Sequence, residues 1–217
     1  MMISRSLLLT LFAAFSLASC ESPPAGIQKR DLTEAPATTQ ETPVKTVMNE
    51  AAQVASLIDP GKLATLGERG ANPRIQKITA ILATAKAQGK IPEEIAKQAV
   101  KQIGWADTPK GDLTAAAILR NLRIAESLGA TTSEDIANMR KGKTATVRKG
   151  PYFGERLSVD HIIPRSVAPD LDNVNANLEL MPLRLNQAKG NMMGQRQRDL
   201  ARKLHAAGIL KSELLLE

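Results

Sequence analysis

Cysteine, histidine and aromatic residues are all scarce in this chain of 217 residues, and each scarcity removes a class of explanation. The single cysteine, Cys20, excludes an internal disulfide and any zinc site built from several thiolates. Aromatic residues make up 2% of the sequence, with one Trp and one Tyr. That argues against a platform of rings stacking on nucleic-acid bases. It also leaves Ala, Leu, Ile and Val to build the core, which favours helix over a β-sandwich. The apolar run at residues 7–19 is too short to span a bilayer comfortably. What is plentiful is apolar residues, at 43%, enough for a real core, and positive charge, with a formal net of +7. The charge points to a polyanionic partner, either nucleic acid or an anionic membrane surface.

The N-terminus is more specific. Arg5 precedes the apolar run, whose length suits the h-region of a secretory signal, so residues 1–19 are expected to be a signal peptide and the protein to be exported. The run ends in "LASC", which resembles the lipobox of bacterial lipoproteins. That resemblance implies that Cys20 is lipidated and becomes the first residue of the mature chain, anchored in the cell envelope. Each buried acyl methylene contributes about 0.8 kcal/mol, so several chains on one cysteine would hold durably. Residue 21 is Glu rather than the Asp that often marks inner-membrane retention, which favours the outer membrane. Residues 20–44 are rich in Pro, Thr, Ala and Glu without periodicity and read as a tether, with a flexible reach of roughly 25–30 Å.

Residues 45–140 carry a helical pattern. Val47, Ala51, Val54, Ala55 and Ile58 recur at spacings of three and four until Asp59-Pro60-Gly61 stops them. A second helix is expected with Asn72 as N-cap, a third from Ile91-Pro92, a fourth after Asp112 that Gly129 closes, and a short fifth capped by Thr131 with Glu134. These helices hold no cluster of His, Cys or paired acids, so a small structural bundle is expected. At about residue 141 the periodicity changes. Two β-type runs, Thr144–Arg148 and Arg156–Ile163, flank a turn at "KGPYFGE"; a polar loop, a strand "NLELM" and a long C-terminal helix opening at Pro182 follow. The fold class is therefore α+β, an N-terminal helical bundle with a C-terminal strand–loop–strand–helix unit at 141–217.

"VDHIIPRS" followed by "NANLELMPLRLNQAKGN" resembles the HNH endonuclease superfamily, whose ββα-metal unit carries Asp-His on one strand, Asn at the next and His or Asn on the helix. The match covers about residues 140–203 and is a His-Asn-Asn variant, without the cysteine pairs some relatives carry. It implies His161 as general base, Asn177 as the residue orienting that histidine, and Asp160 and Asn186 as ligands of one divalent cation. The residue types make chemical sense alone. A neutral imidazole titrates near physiological pH and can accept a proton from water, and carboxylate and amide oxygens are hard donors suited to hydrated Mg²⁺ or Mn²⁺. Phosphodiester hydrolysis needs both an activated nucleophile and stabilised negative charge.

Neighbouring residues of a regular strand face opposite ways, so Asp160 and His161 can address one ion only where the strand ends or bulges; Pro164 makes an end plausible. Lys189 shares a helix face with Asn186 and is a candidate phosphate contact, as are Arg165 and Arg184. His205 sits near a helix end, where complementing the helix dipole explains it. Asn173, Asn175 and Asn191 could replace the chosen asparagines, and Asp170 and Asp172 are expected to cap turns. The expected function is a metal-dependent endonuclease that cleaves DNA with low sequence preference, with RNA as the other substrate. The rival is a non-catalytic envelope lipoprotein that uses the same scaffold to bind a polyanion or a partner protein.

Overall fold

Proline and a hydroxyl or carboxylate cap recur at the helix starts, and they set the element boundaries. The computed structural model describes residues 43–211, with side chains from residue 49 onward. Cys20, the apolar run and most of the tether lie outside the described residues. The helices are α1 (Pro43–Ile58), α2 (Pro60–Ala64), α3 (Asn72–Ala87), α4 (Pro92–Gln102), α5 (Pro109–Ser127) and α6 (Ser133–Arg140). Asp59 caps α2 by accepting from the Lys62 amide at 3.1 Å. Helix α5 begins three residues before Asp112 because Thr108 accepts from the Gly111 amide and Pro109 starts the first turn. Gly111 is obligatory there, since a Cβ would lie 2.0 Å from the Trp105 carbonyl. Two expected caps shift by one residue: Ala71 precedes α3, and Thr132, accepting from the Asp135 amide, caps α6 in place of Thr131.

Two strands follow, β1 (Leu157–His161) and β2 (Leu178–Pro182), paired antiparallel with Asp160 opposite Glu179 and His161 opposite Leu178. The expected strand at Thr144–Arg148 is reduced to one bridge, Thr146 to Arg156. A two-stranded sheet is marginal on its own. Here α5 covers the free edge of β2: Asn121 donates to the Leu178 carbonyl at 3.1 Å and accepts from the Leu180 amide at 2.7 Å, replacing a third strand. Every residue of β2 is consequently buried.

The long C-terminal helix is a correction. It is two helices, α7 (Leu183–Lys189) and α8 (Gln195–Ala206). Gly190, at φ +52°, takes the left-handed conformation that ends α7, and Gly194 opens α8, its amide donating to Gln197 at 3.1 Å. The resulting architecture is mixed helix and strand, an α+β arrangement.

The described residues fall within one compact unit. Helices α1, α3, α4 and α5 bury Ile58, Ile78, Leu82, Ile95 and Ile118 in a first core cluster. A second cluster joins Ile75 and Met139 from the helices to Leu157, Leu178 and Leu180 from the strands, so the core runs across the change of pattern at residue 141. Each such side chain contributes about 1.5–3 kcal/mol on burial. A third cluster, with Ile163, Leu171 and Leu204, seats the loop after β1 on α8. Charge pins the same junctions. Burial pushes the Asp135 carboxyl up, but hydrogen bonds from Arg148, Thr132 and the Thr146 amide outweigh it and hold it below the usual carboxylate range. Glu179, 3% exposed, takes a bidentate contact from Arg196 with Arg120 nearby, and burial lowers the Arg120 pKa against the opposing pull of Glu179.

Candidate functional site

Strand β1 stops at His161, and the reason is the chain beyond it. The Ile162 amide donates to the Asn177 carbonyl at 2.8 Å, and Ile163 turns away from the ladder to be held by the Asn177 side chain, just before Pro164. Register is regular to the last pair, so Asp160 and His161 leave the strand on opposite sides. Because the strand ends there, a cavity of about 230 Å³ wraps its end and is bordered by Asp160, His161, Asn186, Arg165, Arg69 and Asn72. Strand end, rather than bulge, is what brings the expected trio to one space.

His161 is largely buried, its side chain 11% exposed. Its Nε2 lies 3.1 Å from the Asp172 carbonyl oxygen and 2.8 Å from Asp172 Oδ1. The carbonyl can only accept, so this hydrogen bond assigns the proton to Nε2; the contact with Oδ1 is close but lacks hydrogen-bond geometry. The neutral ring then keeps its lone pair on Nδ1. Asn177 does not touch the ring, which corrects the orienting role expected of it. Fully buried, it accepts from the Ile163 amide at 2.8 Å and donates to the Ile163 carbonyl at 3.0 Å and, more loosely, to that of Leu171 at 3.4 Å. It fixes the backbone just after His161, and the ring is oriented by Asp172.

Asp172 was expected only to cap a turn. It is held from the helical segment: the Arg69 amide donates to Asp172 Oδ2 at 2.8 Å, and the Ala71 amide donates to Asn173 Oδ1 at 2.9 Å. Asn173 in turn donates to the Gly67 carbonyl at 3.2 Å. Arg69 takes a positive φ of 54°, unusual for a non-glycine residue, at this clasp. The helices therefore furnish one wall of the cavity, through Arg69 and Asn72, and hold the residue that faces the histidine.

Asp160 is 5% exposed. Lys189 Nζ lies 3.0 Å from its Oδ1 and 2.7 Å from the His161 carbonyl; it is 2.9 Å from Oδ2 as well, but without hydrogen-bond geometry. Lys189, expected on a substrate phosphate, is thus engaged with Asp160. Burial pushes the Asp160 carboxyl up; Lys189 opposes the shift and Glu179, directly across the strand pair, adds to it. Asn186 donates from Nδ2 to Ser158 Oγ at 3.1 Å, which leaves its Oδ1 as the atom able to bind a cation. Arg165 borders the cavity but pairs with Glu68 at 2.7 Å. Arg184 stands at the other end of α7, pairing with Glu155 at 2.6 Å and lying over the Tyr152 ring at 5.7 Å. His205 lies in the last turn of α8 and does not border the cavity.

The donor set fits a hydrated hard cation. Asp160 Oδ2 and Asn72 Oδ1 are buried oxygens without a hydrogen bond, Asp160 Oδ2 lying 2.9 Å from the Lys189 ammonium that a cation would have to displace, and Asn186 borders the same cavity. Among the described residues no group of three or more His, Cys, Asp or Glu side chains gathers, so most of such an ion's shell would be water. Among the described residues, too, no helix is long and apolar enough to cross a membrane. Compared with known proteins, the chain matches no protein-family model, no curated protein and no solved structure.

Proposed function

We propose that this chain is an exported, lipid-anchored endonuclease that hydrolyses phosphodiester bonds of DNA with low sequence preference, using an HNH-like strand–loop–strand–helix unit. The observation that carries the proposal is the shared cavity of Asp160, His161 and Asn186 at the end of β1, with the His161 proton committed to Nε2. His161 Nδ1 accepts a proton from the attacking water, a role typically giving about 10²- to 10⁴-fold. Asp172 steadies the imidazolium that forms, because its carboxylate lies 2.8 Å from Nε2. Asp160 and Asn186 would hold a divalent cation, Mg²⁺ or Mn²⁺, which supplies Lewis-acid stabilisation of charge on the phosphate oxygens. Arg69 at the cavity, with Arg165 and the exposed Arg184 once they exchange Glu68 and Glu155 for phosphate, supply guanidinium groups to the backbone, which favours weak sequence preference and binding that falls with salt. Cys20 provides the envelope anchor.

One observation favours a second reading, a non-catalytic envelope lipoprotein that binds a polyanion or a protein. Lys189 already neutralises Asp160, so the acid is satisfied by an ammonium group. Incubation of the full chain with plasmid DNA and with RNA, in Mg²⁺, Mn²⁺ or chelator, separates the readings. Cleavage of DNA that the chelator abolishes is the expected result. Cleavage confined to RNA would make it a ribonuclease, and no cleavage with either cation would leave the binding protein.

A further inference from the structure

The described residues contain one phenylalanine, Phe153, and its side chain is spent on solvent: the residue is 73% exposed. An isolated exposed apolar residue needs no explanation, but this one is presented rather than stranded. It sits at the tip of a turn over residues 148–154 that is closed by the Val147 amide donating to the Glu155 carbonyl and the Gly154 amide donating to the Val147 carbonyl, both at 2.8 Å. Gly150 and Gly154, at φ +79° and +85°, allow the tight reversal. The preceding residue, Tyr152, packs against the second core cluster and carries the Arg184 guanidinium over its ring. The base of the turn is therefore fixed and the Phe153 ring projects from it.

The surroundings select the partner. Between Arg140 and Arg156 the chain has six Lys or Arg residues against one acid, Glu155. Arg148 is consumed by Asp135 and Glu134, while Lys149 within the turn and Arg156 just after it remain exposed on either side of Phe153. The turn is also aligned with the cavity. Strand β1 leads from it to His161, and α7 runs beside β1 from Arg184, paired with Glu155 at the turn, to Lys189, paired with Asp160. The five residues of β1 span roughly 13 Å, and Phe153 precedes the strand by a further four residues, so the turn and the cavity lie at opposite ends of β1.

We propose that the 148–154 turn is a nucleic-acid contact in which Phe153 stacks on an unpaired base of the strand that reaches the cavity, with Lys149 and Arg156 on the flanking phosphates. A single ring cannot form a platform, so the contact biases the protein toward single-stranded or frayed DNA on that side without reading its sequence. This inference rests on the nuclease function proposed above, and its test is independent of cleavage.

Fluorescence anisotropy of labelled single-stranded, overhang and blunt duplex oligonucleotides is measured in chelator with the full chain in detergent. Phe153→Ala is expected to weaken single-strand and overhang binding about ten-fold while changing blunt-duplex binding less than about two-fold. Phe153→Trp is expected to restore binding and Phe153→Leu to fail, because stacking needs a π face. Unchanged single-strand affinity in Phe153→Ala overturns the proposal, as does equal rescue by leucine. So does a loss of binding to anionic phospholipid vesicles with DNA binding intact, which would make the turn a membrane contact. If Phe153→Ala loses affinity but the parent cleaves nothing with Mg²⁺ or Mn²⁺, the nuclease function fails and the contact stands; cleavage with unchanged affinity in Phe153→Ala gives the reverse.

Discussion

Replacing His161 with alanine is expected to cut DNA cleavage by about 10²- to 10⁴-fold while leaving DNA affinity in chelator within about two-fold of the parent. The split follows from where the ring sits. It borders the cavity, yet 89% of its side-chain surface is covered and its Nε2 is taken by Asp172, so it offers a phosphate backbone little binding surface. What alanine removes is the Nδ1 lone pair. Single-turnover cleavage of a labelled duplex, read beside anisotropy of the same duplex, checks both halves. Equal cleavage by His161→Ala would remove the assigned base, and a parallel loss of affinity would make His161 a binding residue instead.

Asn177→Ala is expected to produce the largest loss of stability. The amide is fully buried and serves both backbone groups of Ile163, with a weaker contact to Leu171. Alanine leaves a buried N–H and a buried carbonyl without partners, each costing about 1–3 kcal/mol, in addition to the lost side-chain packing. A total of about 3–5 kcal/mol corresponds to a fall in Tm of roughly 6–20 °C for a chain of this size. Asn177→Asp should fall between, because a carboxylate can accept from the Ile163 amide but cannot donate to its carbonyl. Thermal unfolding followed by circular dichroism gives the comparison, and a shift below about 2 °C for Asn177→Ala would contradict the assigned role.

Most of the helices and the strands β1 and β2 are legible because their signals are local, whereas α2 is not, since Pro60 reads as a stop, and the β-type run Thr144–Arg148 yields only one bridge. The spacing of Val54 and Ile58, the run "NLELM" and Pro164 after the Asp-His pair act over a few residues. The single long helix expected from Pro182 gives way to two, because the backbone conformation of Gly190 breaks it there. The site divides in the same way. Asp160, His161 and Asn186 lie on adjacent elements, and the resemblance to HNH endonucleases, with Pro164 marking a strand end, is what groups them in the sequence. Asp172 could not be read as the partner of His161, because its position is set by the Arg69 amide 103 residues earlier in the chain. Nor was the clasp of the helices on that loop visible, since Ala71 and Asn173 carry no pattern that marks them as partners. Lys189 was placed on the correct helix face, but its choice of Asp160 over a phosphate depends on the burial of that carboxylate.

The proposed function requires that Asp160 and Asn186 hold one hydrated divalent cation beside His161. Titration of Mn²⁺ into the full chain, followed by the electron paramagnetic resonance signal of the free ion, measures it without reference to cleavage. One Mn²⁺ per chain is expected, with affinity reduced on the order of ten-fold or more in Asp160→Ala and in Asn186→Ala and unchanged in Phe153→Ala. An absence of bound Mn²⁺ in the parent, or equal binding in Asp160→Ala, would contradict it.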